Sequence, residues 1–144
     1  MTATDIPAGF EPHFRSSPVT DAWAPLYAKR LDNAVHIGLR LAKAHTNGRG
    51  LIHGGLIAAL SDNVMGYSCG QAMRMDASKS LVTINLAVDF IGTAKVGQWL
   101  SIEPEVIKTG STICFVQSLA KADGVVIARA NGTFRVVPKK EAAS

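Results

Sequence analysis

Between residues 54 and 72 the apolar side chains recur at helical spacing, whereas in most of the remaining chain they alternate. A chain patterned this way buries both kinds of apolar face by laying a sheet against a helix. At 100° per residue Leu56, Ile57, Leu60, Val64 and Tyr67 share one helical face. Period two marks residues 34–42, where Val35, Ile37, Leu39 and Leu41 alternate with His36, Gly38 and Arg40. It marks residues 81–91 as well, where Val82, Ile84, Leu86, Val88 and Phe90 alternate with Thr83, Asn85, Ala87 and Asp89. Further strands are expected at 24–31, 98–108, 112–122 and 125–137. Short links at Thr109-Gly110 and Ala122-Asp123-Gly124 favour antiparallel hairpins. The resulting class is α+β, with one antiparallel sheet wrapped around one long central helix.

That helix carries a carboxylate, Asp62, roughly opposite its most apolar face, yet the neighbouring Ala58, Met65 and Cys69 are apolar or small. The helix therefore has two sides to bury, and one chain supplies one sheet. A second copy covering the other side is the economical solution, so at least a two-fold dimer is expected.

A chain of 144 residues, 47% hydrophobic and 18% charged, reads as one domain spanning 1–144. Residues 1–20, with Pro7, Pro12 and Pro18, read as an irregular or partly helical arm, and residues 138–144 as a flexible tail. No apolar run reaches the roughly 20 residues of a membrane helix, and the first residues lack a signal-peptide pattern. A cytoplasmic protein without a membrane partner is expected. Cys69 and Cys114 suit reduced, buried thiols. The net charge of +4 suits a small polyanionic ligand such as a nucleotide or coenzyme A. The basic residues are scattered, with no dense run and no aromatic interleaving, which argues against nucleic acid.

The groups able to do chemistry gather where the helix begins. His53 is followed by Gly54 and Gly55, which leave the first N–H groups of the helix uncovered by side chains. Those donors and the positive end of the helix dipole can hold a developing oxyanion. Asp62 lies eight residues further on, about 12 Å along the axis. One substrate carbonyl cannot meet the helix start and also lie beside Asp62 of the same chain. If both act on one centre, they come from different subunits.

The spacing of Asn47, His53-Gly54-Gly55 and Asp62 resembles that of the hotdog-fold acyl-CoA thioesterases, specifically the phenylacetate-pathway thioesterase family that includes the thioesterase superfamily member 2 type. The run from Val82 to Phe90, the Ala94-Lys95-Val96-Gly97 segment and the closing Asn131-Gly132-Thr133-Phe134 also match, so the resemblance covers about residues 25 to 137. It implies a hotdog fold assembled as a tetramer, a dimer of dimers. It implies that the Gly54 N–H binds the thioester oxygen and that Asn47 helps polarise that end. Asp62 of the facing subunit is then general base or nucleophile, and Thr83 positions water. His53 either orients Asn47 or contacts substrate, or serves the helix start. Thioester hydrolysis needs an oxyanion site, an activated water and a weakly basic leaving thiolate, so neither metal nor separate cofactor is expected, coenzyme A being part of the substrate. Its phosphates call for cations, with Arg49, Arg74, Lys79 and Arg135 as candidates. Met65, Tyr67 and Cys69 are candidates for the acyl pocket.

Rival readings remain. A zinc site from His45, His53 and Asp62 matches no usual ligand spacing. An α/β-hydrolase would need a Gly-x-Ser-x-Gly elbow, which is absent. A hotdog hydratase or dehydratase would use a catalytic His, and a non-catalytic acyl-CoA-binding module would use none of these groups for turnover.

Overall fold

The computed structural model describes residues 5–139. Its alternating segments form one antiparallel, seven-stranded sheet in the order β1-β2-β3-β5-β6-β7-β4. The strands are β1 (Glu11–Pro12), β2 (Tyr27–Arg30), β3 (Val35–Arg40), β4 (Lys79–Phe90), β5 (Trp99–Thr109), β6 (Ile113–Ala122) and β7 (Val125–Pro138). A four-residue helix, α1 (Pro18–Asp21), lies in the N-terminal segment, and the long helix, α2 (Gly54–Ala72), packs across β3 to β7. Burial follows the period-two pattern most cleanly in β6, where Cys114, Val116, Ser118, Ala120 and Ala122 are buried and Phe115, Gln117 and Leu119 are exposed. Leu56, Ile57, Leu60 and Val64 of α2 meet Ile37, Leu39, Leu100 and Ile102 of β3 and β5 in the main core. Each such side chain contributes roughly 1.5–3 kcal/mol by leaving water. Among the described residues, no helix is long and apolar enough to cross a membrane.

Three expectations need correction. The arm over 1–20 is partly helical, but it also contributes β1, which pairs with β2 through Glu11–Ala28 and Pro12–Tyr27. Two residues ending in proline carry no alternation to read. The strand expected at 24–31 narrows to Tyr27–Arg30, because Pro25 has no N–H for the ladder. The third correction concerns β4. Its pairing with β7 slips between Thr83 and Asn85, leaving Ile84 bulged. The bulge switches faces, so Leu81 and Thr83 look inward before it and Leu86 and Val88 after it. Val82 and Ile84 point away from the core, 38% and 55% exposed. Residues 1–4, and the part of the expected tail from 140 on, lie outside the described residues.

The two cysteines face each other in a second core cluster with Met65, Val116 and Phe134, free and fully buried. Burial, and then the neighbouring Cys114 sulfur, pushes the Cys69 thiol far above its ordinary range.

Gly38 shows how tightly the outer face of β3 is packed. A Cβ there would lie 2.4 Å from the Trp99 indole and 2.9 Å from Phe10, two rings that meet edge to face. Gly38→Val is expected to destabilise the fold by about 1–3 kcal/mol or more, read as a lower midpoint in urea with unchanged slope. A midpoint equal to that of wild type would mean that the arm carrying Phe10 yields freely.

Candidate active site

His53 is the N-cap of α2, and its Nδ1 accepts the Gly55 N–H at 2.8 Å. The neutral ring therefore carries its proton on Nε2. A Cβ on Gly55 would sit 2.9 Å from that Nδ1, so glycine is what lets the ring fold over the helix start. The next two amides, of Leu56 and Ile57, donate to the His53 carbonyl. The Gly54 N–H has no acceptor among the described residues, which leaves it as the free donor at the positive end of the dipole.

The loop before the helix is tied down by its own groups. Asn47 Oδ1 accepts the Arg49 and Leu51 N–H groups at 2.9 and 3.2 Å, so its amide nitrogen is the end left to face a ligand. His45 is buried, with Nδ1 accepting the Ala42 N–H and Nε2 donating to the Trp23 carbonyl. Both ring nitrogens are spent on the fold, which removes the pivotal ligand of the zinc reading. Leu51 bridges to Lys95, and the Ile52 N–H donates to the Ala94 carbonyl, so the 94–97 segment holds the loop against the sheet.

Asp62 and Thr83 meet in a cleft of about 580 Å³ between α2 and the start of β4. The Thr83 hydroxyl donates to Asp62 Oδ1 at 2.7 Å. That hydroxyl reaches the helix because the bulge at Ile84 turns Thr83 inward. The floor of the cleft is Gly66 and Gly70, one and two turns beyond Asp62, where a Cβ would find only ordinary contacts at 3.5 Å or more. Asp62 is half-buried, and the cleft leaves it accessible.

The structure brings Asp62 and Thr83 together in one chain and keeps Gly54, His53 and Asn47 at the other end of the helix N-terminal half. Of the four basic candidates, Lys79 lines the cleft, whereas Arg49, Arg74 and Arg135 are exposed elsewhere. Tyr67 lines the cleft, but Met65 and Cys69 are fully buried against the sheet and do not. The cleft also takes in Phe14, Arg15 and Arg30, which the sequence did not single out. They come from the N-terminal segment and from the end of β2, and no motif links them to Asp62.

Residues 49–128 match the family model described as the thioesterase superfamily. The chain belongs to the thioesterase superfamily. A Pseudomonas aeruginosa protein named as a candidate esterase is 33% identical over 92% of this thioesterase and 98% of its own length. Human acyl-coenzyme A thioesterase 13 is 31% identical, covering 66% of this chain and 67% of its own. A Streptococcus pneumoniae thioesterase protein solved with coenzyme A has the same fold, with a TM-score of 0.70 at 19% identity over 78% of this chain and 86% of its own. The hotdog fold and a thioester hydrolase follow.

Proposed function

We propose that this thioesterase hydrolyses the thioester of a small aryl- or short- to medium-chain acyl-CoA. The observation that carries the reading is the hydrogen bond from Thr83 to Asp62 in an open cleft. With its hydrogen bond donated to Asp62 Oδ1, Thr83 Oγ1 has lone pairs left to accept one hydrogen of a water, whose other hydrogen points to the carboxylate. Asp62 takes that proton as the water oxygen bonds to the thioester carbon. Charge then develops on the carbonyl oxygen, which is held by the Gly54 N–H of a second subunit, with the Nε2–H of that subunit's His53 and the Asn47 amide nearby. Collapse breaks the C–S bond and releases the acyl group as an acid, and the proton held by Asp62 passes to the departing thiolate, which leaves as coenzyme A and restores the carboxylate. No separate cofactor enters these steps. The hydratase reading is disfavoured because His45 and His53 both spend Nδ1 on backbone amides.

The subunit arrangement is part of the proposal. β4 is a 12-residue strand whose outer backbone edge is unpaired among the described residues, with apolar Val82 and Ile84 exposed. Long edges of this kind invite pairing. Two-fold pairing of β4 with its copy covers the side of α2 that carries Asp62 and brings a second Gly54 toward it. Phe115 and Leu119, 47% and 41% exposed on the outer sheet face, supply a surface on which two such dimers join. Support for coenzyme A as the thiol comes from the human relative's name and from the same-fold protein solved with it.

Thiol release from phenylacetyl-, benzoyl-, acetyl- and hexanoyl-CoA tests the reading. Turnover of at least one of these is expected, and the panel ranks the acyl groups. Absence of release from all four, with binding intact by titration, would turn the reading to a non-catalytic acyl-CoA module.

A further inference from the structure

The cleft that holds Asp62 ends in a cluster of cations and rings that the steps above do not use. The N-terminal segment docks there. The His13 N–H donates to the Leu26 carbonyl, the His13 and Phe14 rings stack at 4.7 Å, and Phe14 meets Tyr67 of α2 edge to face at 5.2 Å. The Arg30 guanidinium lies 3.8 Å from the Phe14 ring centre, and that of Arg15 lies 5.6 Å from the Tyr67 ring centre. A guanidinium stacked on a ring is fixed in orientation while its N–H edges stay free, which is the geometry for taking an anionic oxygen group in a bidentate way. Among the described residues neither arginine has a carboxylate within 4 Å. The two acids that share the cleft are engaged elsewhere, Asp62 with Thr83 and Asp76 with Ser78. Burial holds His13 below its ordinary range, against the raising effect of its hydrogen bond with the Arg15 backbone, and the charges of Arg15 and Arg30 add smaller lowering contributions.

We propose that Arg15 and Arg30, held on Phe14 and Tyr67, form an anion-recognition subsite for the substrate hydrolysed at Asp62. Tyr67 lies five residues beyond Asp62, about 7.5 Å along the axis, and the side-chain-free floor starts between them at Gly66 and continues past Tyr67 to Gly70. A substrate arm laid along this floor from the scissile carbon reaches the two arginines with its far end. That end carries an anionic oxygen group, supplied either by a carboxylate on the acyl chain or by a phosphate of the coenzyme. The inference rests on the hydrolytic reading above.

The test compares wild type with Arg15→Gln, Arg30→Gln and the double variant on four thioesters: hexanoyl and adipoyl, each on coenzyme A and on pantetheine. Adipoyl adds a distal carboxylate to nearly the same chain, and pantetheine lacks the phosphates. The double variant is expected to lower kcat/KM about tenfold or more, through KM, for the substrates that carry the anion being read. A loss confined to both adipoyl thioesters assigns the carboxylate, and a loss confined to both coenzyme A thioesters assigns a phosphate. Equal loss on all four, as a merely structural role would give, or no loss on any, overturns the subsite while leaving hydrolysis standing. Should wild type turn over none of the four, the hydrolytic reading fails only if the other thioesters of the panel above are untouched as well. Calorimetric titration with the same thioesters then decides the subsite: binding about tenfold weaker in the double variant keeps it, and unchanged binding overturns it.

Discussion

Gly54→Pro is expected to lower kcat by roughly 10²–10³-fold while leaving the fold and its oligomeric size as they are. The substitution deletes one atom of consequence, the amide hydrogen that has no acceptor among the described residues. Gly54 is the first residue of α2, the helical position at which proline is best tolerated, since its φ is pre-set and no intrahelical bond is lost. The residue before a proline must be extended, and His53 already is, at φ −76° and ψ 128°. The new ring meets Phe90, whose edge lies 3.2 Å from where a Cβ would stand, but Phe90 is 56% exposed and can turn outward. Gly54→Ala is the control, because it meets the same ring and keeps the N–H. Proline inactive with alanine within a few-fold of wild type isolates the donor. Both variants active, with circular dichroism unchanged, would place the oxyanion site elsewhere. A loss seen in KM alone would make Gly54 a ground-state contact instead.

The helix start was legible in the sequence because its chemistry is local. His53, Gly54 and Gly55 are consecutive, and the cap, the glycine that admits the ring and the spare amide all follow from neighbours in the chain. The strands were legible wherever alternation ran unbroken, as in β3 and β6. Thr83 illustrates what was hidden. Simple alternation placed it with Asn85 and Asp89 on the polar side of β4, yet the extra residue at Ile84 turns it toward Asp62. A bulge is set by the register with β7, which no run within β4 reveals. The same holds for Met65 and Cys69. Sequence proximity to Asp62 suggested the cleft, but at helical spacing they rotate onto the sheet, where Cys114 and Phe134 bury them. Arg15 and Arg30 were invisible for a different reason. The meeting of Arg15 with Tyr67 and of Arg30 with Phe14 depends on how a proline-rich segment without periodicity docks, a matter of tertiary packing alone.

Asp62→Asn is expected to remove at least about 10²-fold of kcat, since the amide keeps the shape of the carboxylate but cannot take a proton from water. The oxygen that accepts from Thr83 survives the change, so stability and oligomeric size should not move. This variant also decides whether the site is shared. If Asp62 of one subunit works with Gly54 of another, an assembly of Asp62→Asn and Gly54→Pro chains contains one site with both defects and one with neither. Co-expressed in equal amounts, randomly assorted dimers would then show about a quarter of wild-type activity, although each parent alone is nearly inactive. If instead both groups served a carbonyl within one chain, every site in the mixture would carry one defect and no activity would return. The separation of about 12 Å along α2 between residues 54 and 62 makes recovery the expected result. Recovery would also assign the exposed edge of β4 a functional purpose: pairing there assembles the reacting groups as well as covering apolar surface.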